Sequence, residues 1–599
     1  MTTVRIPLVG NFNQRGITGI GVLNASEDQR FKNCTFDVLK NPVTGKLTVY
    51  VQKRPGWFLD STPGGSNAST GIIKPLSFNA TITAFSDTNS TIYYNTTSVG
   101  TITGRAMHFT ETLNGTLGCV VFRSSDGTGW YYVDGAKDQL TYTGDTHTNT
   151  VIDNIASTSG MYVGQKLSGT NIVAGTRIAG ITSGTAITID TATTGTTAGV
   201  TITKEPIAKI IDTDFVTAGS TFPAFVEMDG YLFYGTDTGK VYNSDLNSVT
   251  SYDPTNFISP NMSPDNLVAL ARHKNTIIAM GGASKEVYFN AGNATGSPLQ
   301  RAPQYFDRVG CFDQRAVTTL ENDIYFASSP RYGDMGIFRI RDLQTEKVST
   351  AAVDTILGTT TASGGVIYAS SFRLGGYAYV QFVVSGATDG PTSKLLMETG
   401  DFLLLESGDK ILLEEAPSQV ASYRTTLIYN ADLGIWSEWD SSVSTFVTGG
   451  SSTATNAIYA TSRFGTAGAI YRIKPSSDGQ LNTDNGTAFT MEIRLSKIDH
   501  GTSKRKRIHS LRLICDKDTT GTASISWSDD DYATWSTPRT IDLSSKEPKL
   551  TNLGSHKGYR AYKITQSSNT PFRAEAIEIE YSSEDAKVAT RPTQSSNND

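Results

Sequence analysis

Six carboxylates crowd into the stretch METGDFLLLESGDKILLEEA, residues 397–416. Glu398, Glu406 and Glu414 recur at a spacing of eight, with Asp401, Asp409 and Glu415 between and beside them. Regular carboxylates could ligate a cation or share a proton as an acid/base pair. A calcium loop, however, sets oxygen ligands at nearly every second position, and here leucines stand there instead. The Gly-Asp pairs border the four-residue strands Phe402–Leu405 and Lys410–Leu413, where a hairpin turn needs them. The carboxylates therefore read as turn punctuation. Leu403, Leu404 and Leu405, then Ile411, Leu412 and Leu413, leave neither face of such a hairpin polar. A two-faced apolar hairpin needs cover on both sides, which marks these six residues as a candidate oligomer interface. A constriction or gate in a channel is the other use of the same pattern.

Other catalytic and metal patterns are missing. The six histidines form no HExxH and no His–Cys ligand set, and neither a Gly-x-Ser-x-Gly elbow nor a phosphate-binding GxxxxGK[ST] loop occurs. SDDDYATW, residues 528–535, approaches the Asp-box Ser-x-Asp-x-Gly-x-Thr-Trp of sialidase-type propellers, with Tyr532 in the glycine position. That box is a hairpin tie remote from catalysis, so it speaks for a fold. The expectation is a protein that is not an enzyme, with no catalytic residues, no cofactor and no metal.

Lys504, Arg505, Lys506 and Arg507 make the one dense basic run. It suits a solvated hairpin tip that blunts a sheet edge, or contact with DNA phosphates or an acidic partner. In a strand, only alternate members could serve one surface.

The elements that must position these residues are strands. Of 599 residues, 38% are apolar and 18% charged, while Gly, Ser, Thr and Asn are abundant; that balance suits pleated surfaces and turns over helices. The net charge of −6 argues against wrapping duplex DNA by phosphate neutralisation but is compatible with a channel through which DNA slides. No apolar run approaches the roughly 20 residues of a membrane span, and the start lacks the apolar core of a secretory signal. The four widely spaced cysteines read as buried free thiols.

Strand–turn–strand units with an aromatic beside an aliphatic recur at 115–136, 228–246, 275–292, 322–342, 365–384, 425–440 and 456–475. Their spacing of about 42–50 residues is that of a four-stranded propeller blade. The expected fold is all-β: a β-propeller of about six or seven blades, with an inserted small β domain and a C-terminal β-sheet module. Separate β-sandwiches are the competing architecture. Residues 1–140 would hold N-terminal strands and the first blades, and 141–204 a Gly/Thr-rich inserted domain. Residues 205–486 would hold the remaining blades with the hairpin 397–416, then 487–583 the C-terminal module and 584–599 a disordered tail.

SPDNLVALARHKNTIIAMGGASKEVYFNAGNATGSPLQRAPQYFDRVGC, residues 263–311, together with its continuation to 350, VQKRPGW at 51–57 and the region around SDDDYATWS, resembles the DNA-stabilisation, tail accessory or nozzle proteins of short-tailed bacteriophages. The resemblance implies a structural virion protein of the viral tail, assembled in the host bacterial cytoplasm. A homohexamer ring would form the tail nozzle or hub below portal and adaptor, retain packaged double-stranded DNA, pass it during ejection, and carry a tail fibre or needle. The alternative is a receptor-binding or glycan-cleaving, sialidase-like propeller of the virion. The 141–204 insertion and the leucine-rich hairpin depart from the minimal family pattern, so their roles stay open.

Overall fold

The computed structural model describes residues 2–9, 29–40, 47–77, 80–86, 88–138, 140–216, 224–236, 238–293, 295–328, 335–362, 365–387, 422–440, 446–448, 457–462, 468–473, 482–499, 504–517 and 521–584. The chain divides into two compact units. One comprises Trp57–Ile435 and Ser441–Gly479; the other comprises Met1–Gly56, Trp436–Asp440 and Gln480–Asp599.

The larger unit is a β-propeller. Five of its blades are separate four-stranded antiparallel sheets. In chain order blade 1 begins with Ser69–Ile73, blade 3 with Val226–Met228, blade 4 with Leu267–His273 and blade 5 with Val317–Leu320; blade 7 combines Phe446–Thr448, Ile458–Thr461 and Gly468–Ile473 with the early strand Phe58–Gly65. Two further meanders belong to larger sheets. Blade 2 starts at Ala106–Asn114, and blade 6 runs through Val366–Leu374, Tyr377–Ala387 and Ser422–Asn430. The first strands of blades 1 to 7 touch their neighbours in succession, and blade 7 touches blade 1, so seven blades close the ring. Closure is a strand exchange between the chain's distant parts: Tyr471 pairs opposite Leu59, and Arg472 reaches Asp60 at 2.8 Å.

The apolar pattern explains why blades stack. In blade 2, Val120 and Phe122 face the core shared with Ile82, Ala84 and Ile92 of blade 1. Their neighbours Cys119 and Val121 face Leu232 and Tyr234 of blade 3. Ile277 and Ala279 likewise pack toward blade 3, and Ile278 and Met280 toward blade 5. Successive strand residues point to opposite faces, so a strand buried on both reads as a continuous apolar run. The recurring sequence units are mostly the middle two strands of blades. Blade 1 carries the same signal in Ile82–Phe85 and Thr91–Tyr94 and was not among the units singled out from sequence.

The insertion leaves blade 2 between its third and fourth strands. Ile207–Lys209 pairs with Tyr132–Trp130 as the blade's last strand. Upstream on the same strand, Thr196–Thr203 pairs with Thr141–His147. The inserted strands bury a core of their own, including Ile152, Ile178, Ile187 and Ile202. Among the described residues one α-helix occurs, Ala351–Ala362, and none is long and apolar enough to cross a membrane.

The smaller unit contains the C-terminal strands, but the first 56 residues group with them rather than with the first blades. One sheet runs Cys34–Lys40, Leu47–Lys53, Arg573–Glu584, Arg505–Cys515, Lys549–Thr551, with Thr2–Pro7 also on Arg573–Glu584. A second set links Arg30–Lys32, Met491–Arg494, Ala561–Gln566, Thr522–Ser528 and Arg539–Asp542. Phe31 meets Phe36 edge-on at 5.1 Å. Thr2–Pro7 and Leu47–Lys53 find partners more than five hundred residues away, which no local sequence pattern encodes.

Candidate functional site

The carboxylate and leucine stretch 397–416, with Leu403, Leu404, Leu405, Ile411, Leu412 and Leu413, lies outside the described residues. So does the tail 585–599.

The basic run is part of an inner strand, not of a hairpin tip. Arg505–Cys515 pairs with Arg573–Glu584 on one side and with Ser555–Lys557 and Lys549–Thr551 on the other. Strand alternation divides the run: Lys504, Arg505 and Arg507 are exposed, whereas Lys506 is fully buried and its Nζ donates to the Asp499 carbonyl at 3.0 Å. Burial pulls the Lys506 ammonium below its ordinary range. Arg505 and Arg507 thus share one solvent face, and Arg505 Nη2 donates to Ser555 Oγ at 3.0 Å.

SDDDYATW forms the tie expected of it. The Ser528 hydroxyl donates to Asp530 Oδ1 at 2.8 Å, and Asp530 accepts from the Thr534 backbone N–H at 2.9 Å and from its hydroxyl. The Thr534 hydrogen bonds push the Asp530 carboxyl down to about 2. Tyr532, where the box has glycine, holds φ +71°. These bonds fasten the loop between Thr522–Ser528 and Arg539–Asp542.

Cysteines 34, 119 and 311 are buried free thiols, as expected, while Cys515 is partly exposed. Among the described residues no group of three or more His, Cys, Asp or Glu side chains is placed to hold a metal ion.

The propeller axis provides the built cavity that sequence reasoning missed. At one end a space of about 250 Å³ is lined by Arg105, His108, Gln314, Arg315 and Tyr368, among others. A wider space of about 880 Å³ continues from it, sharing Thr110, Ala224, Gln314 and Val317. Gln314 bridges to blade 4 with both ends of its amide, accepting from Leu270 N–H at 2.8 Å and donating to Leu270 O at 3.3 Å. Around the wider mouth, ion pairs tie neighbouring blades: Arg272 to Glu227 at 2.5 Å, Lys274 to Asp342 at 2.6 Å, and Arg373 to Glu321.

His108 sits at an irregularity between Met107 and Thr110 in the first strand of blade 2, with φ +57°. Histidine is among the residues that enter this left-handed region more readily than most. Burial pushes its imidazole down to about 3, so the ring is neutral at pH 7. Asp313 grips Arg315 with both oxygens, accepting from Nε at 2.9 Å and Nη2 at 2.6 Å. Burial opposes ionisation of Asp313, and the Arg315 hydrogen bonds and charge outweigh it, so its carboxyl lies below the usual range. The one cue in sequence was a histidine in an otherwise strand-like run, RAMHFTE, which has no spacing to a partner.

A comparison with curated proteins finds no match. Among solved structures, the computationally designed Ika8 protein aligns over 70% of this chain and 100% of its own at 14% identity, with a TM-score of 0.32. The N-terminal domain of Nup159 aligns over 74% and 98% at 7% identity and TM-score 0.31. The exo-β-1,3-galactanase of Phanerochaete chrysosporium aligns over 70% and 96% at 9% identity and TM-score 0.20. The family comparison is more specific, and it falls on the end of the insertion, the last strand of blade 2, blades 3 to 5 and the first strand of blade 6. Residues 182–372, about a third of the chain, match the phage-stabilisation family model described as bacteriophage P22 Gp10, β-propeller.

Proposed function

We propose that the protein is a structural component of a short-tailed phage virion, a tail nozzle or hub acting without catalysis. In this reading copies assemble as a homohexamer ring below the portal and adaptor, in the cytoplasm of the host bacterium. The ring continues the DNA channel, retains packaged double-stranded DNA until ejection, and carries a tail fibre or needle. The observation that carries the reading is the match of residues 182–372 to the phage-stabilisation family. Physical chemistry supports it from two sides. A propeller closed by strand exchange and by ion pairs between blades is a stiff block for a wall. A net charge of −6 disfavours adhesion of DNA, which a conduit must let slide.

Imaging of virions with the protein labelled tests the reading. Label density coaxial with the DNA channel is expected. Density confined to peripheral spikes would overturn it and favour a receptor-binding propeller, which would then bind host polysaccharide as an isolated protein.

A further inference from the structure

We propose that a groove between blades 2 and 3 docks an extended segment of a partner protein in which a leucine-like side chain neighbours an arginine or lysine. The inference does not depend on the virion role.

Apolar exposure is the first argument. The groove, about 440 Å³, lies where the hairpin after Ala106–Asn114 meets the turns at 229–230 and 246–247. The Gly115 N–H donates to the Asn247 carbonyl at 2.7 Å and joins the two blades there. Leu113 and Leu246 line the groove, 44% and 56% exposed. Leu76 adjoins it, since its N–H donates to Glu111 at 2.8 Å. At 88% it is the most exposed large apolar side chain among the described residues. Leucines exposed singly are ordinary; gathered around one concave space they supply the apolar contact of a docking surface.

Charge is the second. Glu111, Glu227 and Asp229 line the groove, and among the described residues no lysine or arginine does. Arg272 answers Glu227. Neutral donors hold the other two: the Leu76 and Ser77 backbone N–H groups reach Glu111 at 2.8 Å each, and Asn290 Nδ2 reaches Asp229 at 2.9 Å. These bonds fix both carboxylates in place without cancelling their charge. A cation carried on an apolar segment complements that arrangement, whereas phosphate backbones and acidic lipids are repelled. Among the described residues no aromatic ring lines the groove to stack a sugar.

Shape is the third. The groove shares Glu111 and Glu227 with the wide axial space, so it is an open-ended trough. A trough suits a chain passing through, and an extended chain turns successive side chains to opposite sides. Cationic and apolar side chains can then alternate between carboxylates and leucines.

Titration calorimetry of the full chain with a short blocked peptide alternating leucine and arginine tests the site. Saturable one-site heat is expected, with peptides alternating leucine and glutamate, or serine and arginine, on the order of tenfold weaker or more. Leu246→Ser should weaken binding on the order of tenfold. Glu111→Gln with Asp229→Asn should weaken it by a similar order and flatten its salt dependence; asparagine tolerates the φ of +55° at position 229. Leu140→Ser, at an exposed leucine outside the groove, should leave affinity unchanged. Absence of saturable heat, equal affinity for the three peptides, or groove variants that bind like wild type would each overturn the proposal. The peptide comparison uses the wild-type chain, so it decides even where a variant misfolds. Self-association of the wild-type chain that Leu246→Ser abolishes and the peptide leaves untouched would assign the groove to a second copy, and would overturn the proposal too.

Discussion

Arg54 and Asp484, 430 residues apart, form a two-pronged ion pair, with Nη1 to Oδ1 at 2.8 Å and Nη2 to Oδ2 at 2.6 Å. The Arg54 side chain is 0% exposed and that of Asp484 17%. Arg54 Nε also donates to Asn33 Oδ1 at 3.0 Å, and its guanidinium lies 3.8 Å from the centre of the Phe489 ring. This arginine joins the N-terminal strands to the C-terminal module. Removing one partner of a buried pair strands the other, which costs about 3–5 kcal/mol. Arg54→Ala and Asp484→Asn are each expected to destabilise the smaller unit by that order in urea unfolding. Arg54→Lys should not restore stability, because an ammonium cannot supply the two-pronged geometry. A lysine variant as stable as wild type would refute this account.

Gly56, two residues beyond Arg54, carries a second prediction. A Cβ there would lie 1.7 Å from the Thr483 carbonyl oxygen, which is backbone and cannot rotate away. Gly56→Ala should therefore destabilise the unit even though alanine is small and apolar. Thermal unfolding reads it, and an unchanged midpoint would count against so close an approach.

The Asp530 turn carries a pH signature. Its carboxyl, held down to about 2 by the Thr534 hydrogen bonds, has an ordinary value near 3.9 when unfolded. A depressed carboxylate contributes stability that is present in full above the unfolded value and lost as pH falls through the folded one. The protection of the Thr534 amide, its exchange rate divided into the intrinsic rate at each pH, should therefore stay high above about pH 4 and fall toward pH 2, and Asp530→Asn should flatten that profile. Tyr532 adds a second test. Its ring is buried and its hydroxyl accepts from Lys497 N–H at 2.9 Å, so truncation destabilises. At φ +71°, however, glycine avoids the roughly 1–2 kcal/mol that a Cβ costs in the left-handed region. Tyr532→Gly should then be the more stable of the pair with Tyr532→Ala, and the reverse order would sink the strain argument.

The division of the basic run predicts unlike behaviour from adjacent residues. Arg505 and Arg507 are exposed, so Arg505→Glu with Arg507→Glu should change stability within about 0.5 kcal/mol. If this face meets DNA or an acidic partner in the virion, the double variant should weaken that contact and flatten its salt dependence. Lys506→Ala should instead lower the unfolding midpoint, since that ammonium is buried on the Asp499 carbonyl. Equal effects at all three positions would contradict the alternation.

What sequence made legible follows from range. The middle strands of a blade lie within about twenty residues of each other and bury both faces, so Tyr231–Gly235 with Val241–Ser244, or Thr276–Gly281 with Lys285–Asn290, announce themselves. The insertion shows as a change of composition because its small core is mostly isoleucine, with Tyr142 its one buried aromatic in that cluster. Closure of the ring by Phe58–Gly65 and the pairing of Thr2–Pro7 with Arg573–Glu584 join segments with nothing local in common. The axial cavity was illegible for the same reason: His108, Arg105, Arg315 and Tyr368 come from three blades, and only the ring sets them together. The alternation of the basic run was legible from strand geometry, but its place on an inner strand was not, because the flanking strands Ser555–Lys557 and Arg573–Glu584 lie far along the chain.

The insertion should be separable from the propeller. Thr141 and Thr203 are opposite each other in the pairing of its first and last strands, so the chain enters and leaves at one place. Its core is its own. The junction is nevertheless knitted: Gly164, at φ +87°, would place a Cβ 1.8 Å from the Lys209 carbonyl oxygen, and the Tyr131 hydroxyl of blade 2 donates to the Val163 carbonyl. A fragment spanning 140–206 is expected to fold alone, read by dispersed amide resonances. A chain with 141–203 replaced by a short Asn-Gly turn should retain the propeller, with a lower unfolding midpoint from the lost junction. On the nozzle reading, that shortened chain discriminates two uses. Rings that still form but take up no fibre or needle would assign the insertion to docking, whereas failure of the rings themselves would assign it to the wall between copies.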